Sequence, residues 1–174
     1  IIRADGNGTI GMGHVMRCLS IADALRKQEQ EVLFVTACQE CVSVVQERGY
    51  EIICLMSDYR CMEDELESLI QLIQQRRVDV VLVDSYQITS AYMEALSDVV
   101  ILAYMDDMGN SYPADLIINY NLYGTKFKYL ELLEHRKLEC LQGTAYVPLR
   151  KEFTEEIAYQ LRADVKDVLI TTGG

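Results

Sequence analysis

The sequence predicts an α/β domain on an open, mostly parallel sheet, and three observations predict it. Short apolar runs alternate along the chain with stretches of helical period, the pattern of parallel strands joined by right-handed crossovers. One of these runs, VDVVLVD at 78–84, is almost uninterrupted, as suits a central strand buried on both faces. The first run ends in a glycine-rich turn that leads into a helix, an arrangement that brings backbone close to a ligand. Together these define a Rossmann-like architecture.

The elements follow in order. Ile1 and Ile2, with Arg3, Ala4 and Asp5, suit a short first strand running into Gly6-Asn7-Gly8-Thr9-Ile10-Gly11-Met12-Gly13-His14. From Val15 the period changes, with Val15, Cys18 or Leu19, Ala22 and Leu25 on one helical face. Residues 31–36 (EVLFVT) read as a second strand, 41–48 as a short helix with Gly49 as its C-cap, and 50–55 (YEIICL) as a third strand. An amphipathic helix over 62–77 turns Leu66, Leu69, Ile70 and Ile73 inward. The fourth strand at 78–84 precedes a helix capped by Thr89 and running to Leu96. Strands are then expected at 99–104, 115–118 and 138–141, and a helix at 151–161. Residues 167–172 read as a further strand reaching Gly173 and Gly174. The expected division is therefore a domain over 1–160 and, at 161–174, the first strand and glycine turn of a second, nucleotide-binding domain.

Composition narrows the function. A chain of 174 residues, 50% hydrophobic and 25% charged, is that of an ordinary globular protein. A net charge of −11 argues against a nucleic-acid partner, which needs clustered Lys and Arg. A small anionic ligand remains compatible, held by glycine-loop N–H groups and a few arginines such as Arg3, Arg17 or Arg150. Nothing approaches the roughly 18 consecutive apolar residues of a membrane span, and no basic segment leads into an apolar one. A cytoplasmic protein is expected. The six cysteines are irregularly spaced, mostly in apolar stretches, and read as free buried thiols. Cys38-Gln39-Glu40-Cys41 lacks the aromatic and proline of a thioredoxin-type pair, and no second C-x-x-C offers a zinc site.

Ligands of open α/β sheets bind beyond the carboxyl ends of the strands, at the topological switch point. The polar residues expected there are Asp5 to His14, Asp84-Ser85-Tyr86, Asp106-Asp107 and Asn119-Tyr120-Asn121, four clusters on one rim. Gly6-x-Gly8-x-x-Gly11 matches the dinucleotide fingerprint by letter, but that fingerprint wants an acidic residue about 20 residues on. Here the second strand ends in Thr36-Ala37-Cys38. The glycine turn instead offers N–H groups to an anion or sugar, and the helix dipole beside His14 favours a neutral imidazole that can accept a proton.

These residues also carry a resemblance. The stretches Ile2-Arg3-Ala4-Asp5, Ile10-Gly11-x-Gly13-His14-Val15-Met16-Arg17-Cys18-Leu19, Val83-Asp84-Ser85-Tyr86, Asp106-Asp107, Asp115-Leu116-Ile117-Ile118-Asn119, Gly143-x-x-Tyr146-x-x-Leu149-Arg150-x-x-Phe153 and Leu169-Ile170-Thr171-Thr172-Gly173-Gly174 resemble the PseG-type nucleotide-sugar hydrolases of pseudaminic acid biosynthesis. Related spore-coat polysaccharide (SpsG-like) proteins share the pattern. The resemblance implies the N-terminal half of a two-domain, GT-B-type fold. It further implies an enzyme that releases UDP from a UDP-diacetamido-trideoxy sugar by attack of water at the anomeric carbon, with inversion and with no metal or cofactor. On that resemblance His14 is the catalytic residue. Asp5, Gly11, Gly13, Arg17, Asp84, Tyr86, Asp106, Asn119 and Tyr146 bind the substrate, with Gly173 and Gly174 on the nucleotide side. The alternatives are a GT-B glycosyltransferase that passes the sugar to an acceptor, and a non-catalytic module that binds sugar nucleotides. The expected partner is a small nucleotide-sugar substrate, with no nucleic acid and no membrane span; the sequence sets no oligomeric state. The present chain alone is expected to be inactive.

Overall fold

The computed structural model describes residues 1–132, 138–154 and 163–170. Its strands are Ile2–Ala4 (β1), Leu33–Thr36 (β2), Glu51–Cys54 (β3), Val80–Asp84 (β4), Ile101–Met105 (β5), Leu116–Asn119 (β6) and Glu139–Gln142 (β7). They form one sheet in the order β3-β2-β1-β4-β5-β6-β7, with every pairing parallel. This is the open Rossmann-like sheet expected. The order reverses between β1 and β4, which places the switch point, and the crevice it opens, at those two strand ends.

The helices are Gly13–Lys27 (α1), Val42–Glu47 (α2), Leu66–Arg76 (α3), Ser90–Ser97 (α4) and Tyr129–Leu132 (α5). Strand alternation sorts the core into two layers. Ile2 and Ala4 of β1, Leu82 of β4 and Ala103 and Met105 of β5 pack against Val15, Cys18, Leu19 and Ala22 of α1 and Val45 of α2. Val81, Val83, Leu102, Tyr104 and Ile117 face the other way, onto Leu69 and Ile73 of α3 and Tyr92, Met93 and Leu96 of α4. Thr89 caps α4 as expected, its hydroxyl accepting the Tyr92 N–H at 3.2 Å.

Some elements depart from the sequence reading. The helix expected over 62–77 begins as a 3-10 turn, Met62–Glu65, before α3. A tertiary contact decides this, because the turn carries the buried Glu65 carboxylate to Arg3 of β1. The loop between β6 and β7 contains a 3-10 turn at Gly124–Lys126 and the short α5, neither of which was expected. Of the helix expected over 151–161, only a 3-10 turn at Lys151–Phe153 falls among the described residues. Among the described residues, 165–170 form no strand, with Val165, Val168, Leu169 and Ile170 exposed; the rest of the strand expected at 167–172, with Gly173 and Gly174, lies outside the described residues.

Gly124 has no room for a side chain: a Cβ there would meet the Asn119 carbonyl oxygen at 2.5 Å and its side-chain oxygen at 2.7 Å. Gly124→Ala is therefore expected to destabilise the fold by about 1–3 kcal/mol, the usual cost of overpacking. A lowered urea midpoint at unchanged slope checks it.

Candidate functional site

The loop after β1 is built by its own residues. Asn7 Oδ1 accepts the N–H groups of Thr9 at 2.8 Å and Ile10 at 3.0 Å, and its carbonyl accepts the Gly11 N–H at 2.9 Å. Gly11 has φ +74°, a left-handed conformation that glycine adopts without strain. At Gly6 a Cβ would come within 2.8 Å of Met12 Sδ and 3.0 Å of Val15. The loop thus folds tightly onto the start of α1. Among the described residues no side chain caps that helix. Gly13 is exposed and available, whereas the Gly11 N–H expected to face a ligand is taken by Asn7.

His14 lies in the first turn of α1, and i, i+3 and i+4 spacing puts Arg17 and Cys18 on the same side. That side meets Asp84, the last residue of β4, which shares its strand face with Leu82 and pairs in register with Ala4. Asp84 is buried, and four contacts converge on it. His14 Nδ1 lies 2.6 Å from Oδ1. Arg17 clasps the carboxylate with two donors, Nε to Oδ2 at 2.6 Å and Nη2 to Oδ1. The Cys18 thiol donates to Oδ2 at 3.3 Å. Arg17 is itself anchored by Nη1 donating to the Tyr120 hydroxyl at 2.9 Å, with its guanidinium 5.7 Å from that ring's centre.

Burial alone would push the Asp84 carboxyl up, but hydrogen bonds from Arg17 and His14 and the Arg17 charge outweigh it and hold it below the ordinary value. The stability this carboxylate contributes is therefore complete above the ordinary carboxyl range and is lost as pH falls through its lowered value. Burial likewise opposes the Arg17 charge, and its bonds to Asp84 prevail, so the guanidinium is held above its ordinary value. Burial and the neighbouring Asp84 push the Cys18 thiol well up, so it donates as a thiol instead of serving as a nucleophile.

Tyr86 packs edge-on against His14, with ring centres 4.6 Å apart, and its hydroxyl donates to Asp107 at 2.9 Å. Half-exposed, it bridges the loops after β4 and β5 beside a small cleft lined by Asp5, Ile10, His14, Tyr59, Asp84, Ser85, Tyr86 and Gln87. Among the described residues nothing is hydrogen-bonded to His14 Nε2, and the imidazole, buried but for one edge, lines this cleft. A larger concavity, lined by Arg26, Tyr50, Arg76 and Asp79, lies at the amino ends of β1 to β4, away from this imidazole.

The remaining expected site residues are distributed differently. Asp5, Asp106 and Asn119 are buried, each with its polar atoms engaged. Asp5 accepts from Arg3 Nη1 at 2.7 Å, the Thr36 hydroxyl at 3.0 Å and the Ala37 N–H at 2.8 Å. Asp106 accepts from the N–H groups of Met108, Gly109 and Asn110 and from the Tyr104 and Tyr129 hydroxyls. Asn119 bonds Tyr129 and Asn121. Asp106 and Asn119 share the tyrosine Tyr129 on the α3 and α4 face, so they frame the rim, whereas Asp84 lies on the α1 face. Tyr146 stands after β7, three strands from β4 or about 14 Å along the sheet. Tyr120, expected on the rim only as part of the cluster after β6, shares the parity of Leu116 and Ile118 and so lies on the α1 side, where its hydroxyl holds Arg17. All six cysteines are free as expected, but only Cys18 and Cys41 are buried and Cys61 is exposed; burial, with the Glu40 contact behind it, pushes Cys38 up to about 11. Among the described residues no group of three or more His, Cys, Asp or Glu side chains could hold a metal ion, and no helix is long and apolar enough to cross a membrane.

Fold and site together define a parallel Rossmann-like domain that sets a cation, a carboxylate and an imidazole in a row at the switch point of its sheet. No family model matches the chain. It is 28% identical, over 100% of its length and 60% of the relative's, to the UDP-2,4-diacetamido-2,4,6-trideoxy-beta-L-altropyranose hydrolase of Campylobacter jejuni. It is also 28% identical to an uncharacterized protein, MJ1062, of Methanocaldococcus jannaschii, across 99% of the chain and 36% of that protein. Identity at this level along the whole chain marks a distant relationship to the hydrolase. The chain spans less than two thirds of either relative.

Proposed function

We propose that the chain is the sugar-side domain of a nucleotide-sugar hydrolase. The observation that carries the reading is a cleft-lining His14 whose Nε2 has no hydrogen-bond partner among the described residues, at a glycine loop on the switch point, in a chain similar from end to end to a UDP-sugar hydrolase. In the reaction water attacks the anomeric carbon from the face opposite the diphosphate, and its proton passes to His14 Nε2. The bond from the anomeric carbon to the diphosphate oxygen breaks, and UDP leaves with the electron pair. The uncapped start of α1, including the Gly13 N–H, supplies positive potential near the departing diphosphate. Tyr86 walls the sugar beside His14, while Asp5, Asp106 and Asn119 hold the loops that shape the rim. Arg17 serves the site through Asp84, and Tyr146 belongs to the far end of the same rim. A diphosphate is a good leaving group, so the pair of carboxylates usual for ordinary glycosides is not required. The exposed 165–170 segment begins a second domain, with Gly173 and Gly174 on the nucleotide side.

The test uses full-length protein with a panel of UDP sugars in ¹⁸O-water, with products read by mass spectrometry. UDP should be released without an added acceptor, and the label should appear on the freed sugar. Label on UDP places attack at phosphorus, and release that depends on an acceptor makes the protein a transferase; either result sinks the reading.

A further inference from the structure

We propose that Asp84, clasped by Arg17, is a positioning residue that locks the His14 imidazole with its proton on Nδ1 and leaves Nε2 bare. The inference rests on the reading of His14 as the base, and it adds the device that makes only one of the two ring nitrogens able to act.

The argument is one of donors and acceptors. A carboxylate only accepts, so the 2.6 Å contact from Asp84 Oδ1 to His14 Nδ1 requires a proton on Nδ1. Arg17 Nη2 also lies 3.1 Å from Nδ1, but a guanidinium only donates, and it cannot bond a nitrogen that already carries its proton. The alternative tautomer would set the lone pair of Nδ1 against the lone pairs of Asp84. Arg17 decides between the two by fixing the carboxylate. Its fork occupies both oxygens, as bidentate pairing favours, and holds the group ionised. The Cys18 thiol takes a further position on Oδ2, and Tyr120 anchors the far side of the guanidinium. The whole row comes from one turn of α1 against one strand end. Because the Arg17 cation offsets the Asp84 charge, the imidazole faces an oriented acceptor that carries little net charge with its partner. Tyr86, edge-on at 4.6 Å, restricts the ring's tilt.

The test is the tautomer itself, read by long-range ¹H–¹⁵N correlation of the full-length protein at about pH 8.5, above the ordinary histidine range. His14 is assigned by the signals that vanish in His14→Asn. The expected wild-type spectrum has a protonated Nδ1 and a bare Nε2. In Asp84→Asn the single amide oxygen is claimed by Arg17, so the NH₂ group faces the imidazole. The proton should then move to Nε2, with kcat for UDP release falling by about 10²-fold or more and KM nearly unchanged. A wild-type spectrum with the proton on Nε2 overturns the proposal, as does an Asp84→Asn protein that keeps the wild-type tautomer or the wild-type kcat. If that variant does not fold, the wild-type spectrum still decides. A protein that shows the expected tautomer but releases UDP from no sugar removes the hydrolase reading and leaves the positioning of His14 standing.

Discussion

His14→Asn in the full-length protein is expected to lower kcat for UDP release by about 10² to 10⁴, the range a general base contributes. Asparagine is close to the imidazole in reach, and its amide can still donate to Asp84, so α1 and the Arg17–Asp84 pair should persist. What it lacks is a nitrogen that accepts a proton from water. Substrate binding should therefore survive, with KM within about threefold, because an interaction made only in the transition state lowers kcat and kcat/KM together. Initial-rate kinetics, with a thermal melt to confirm that the variant is folded, check this. Activity within about tenfold of wild type would show that the proton goes elsewhere, and a binding module would retain its ligand affinity with no turnover to lose.

The fold was legible from the sequence because its signals are local. Apolar runs such as VDVVLVD, the Thr89 cap and the glycine turn after β1 each specify their own element, and the parallel sheet follows from their alternation. The strand limits differ from those read by one or two residues, since pairing and not composition ends a strand. The site was legible only in part. His14 stands out because a glycine turn delivers it to a helix start. The partition of the strand-end acids did not stand out, because a strand buried on both faces carries apolar residues at every position and so hides which face Asp84 takes. Asp84 falls with Leu82 on the α1 side, beside His14, while Asp106 turns to Tyr104 and Tyr129 on the other. Four polar clusters on one rim therefore resolve into one row, Arg17, Asp84 and His14, and several loop anchors. The partners of Arg3 and Arg17 were equally hidden: Glu65 is 62 residues from Arg3, and Asp84 is 67 from Arg17.

The Arg3 ion cluster leads to the other large expectation: Glu65→Ala should destabilise the protein by about 3–5 kcal/mol, the cost of stranding one member of a buried ion pair. Arg3 is 0% exposed at the centre of the sheet. Burial opposes its charge, but the bonds and charge of Glu65 and Asp5 hold the guanidinium above its ordinary value, so it stays ionised. Glu65 accepts Arg3 Nε at 2.5 Å and Nη2 at 2.8 Å, together with the Tyr92 hydroxyl at 2.8 Å and the Ser57 hydroxyl at 2.9 Å. Its removal leaves two guanidinium donors and two hydroxyls without this acceptor, and Asp5 as the remaining carboxylate. Replacing the pair together, as Arg3→Met with Glu65→Leu, should recover only part of the loss, since it removes the stranded guanidinium but leaves the buried Asp5 carboxylate without its cation and the Tyr92 and Ser57 hydroxyls without the Glu65 acceptor. Urea unfolding of the single and double variants separates these effects, and a Glu65→Ala loss below about 1 kcal/mol would mean that water reaches Arg3. The consequence extends to the site. Asp5 links Arg3 to the Thr36 hydroxyl and the Ala37 N–H, and the glycine loop begins at the next residue, Gly6. The cluster therefore fixes the base of the loop that delivers His14, and Glu65→Ala should lower turnover even at temperatures where the variant remains folded.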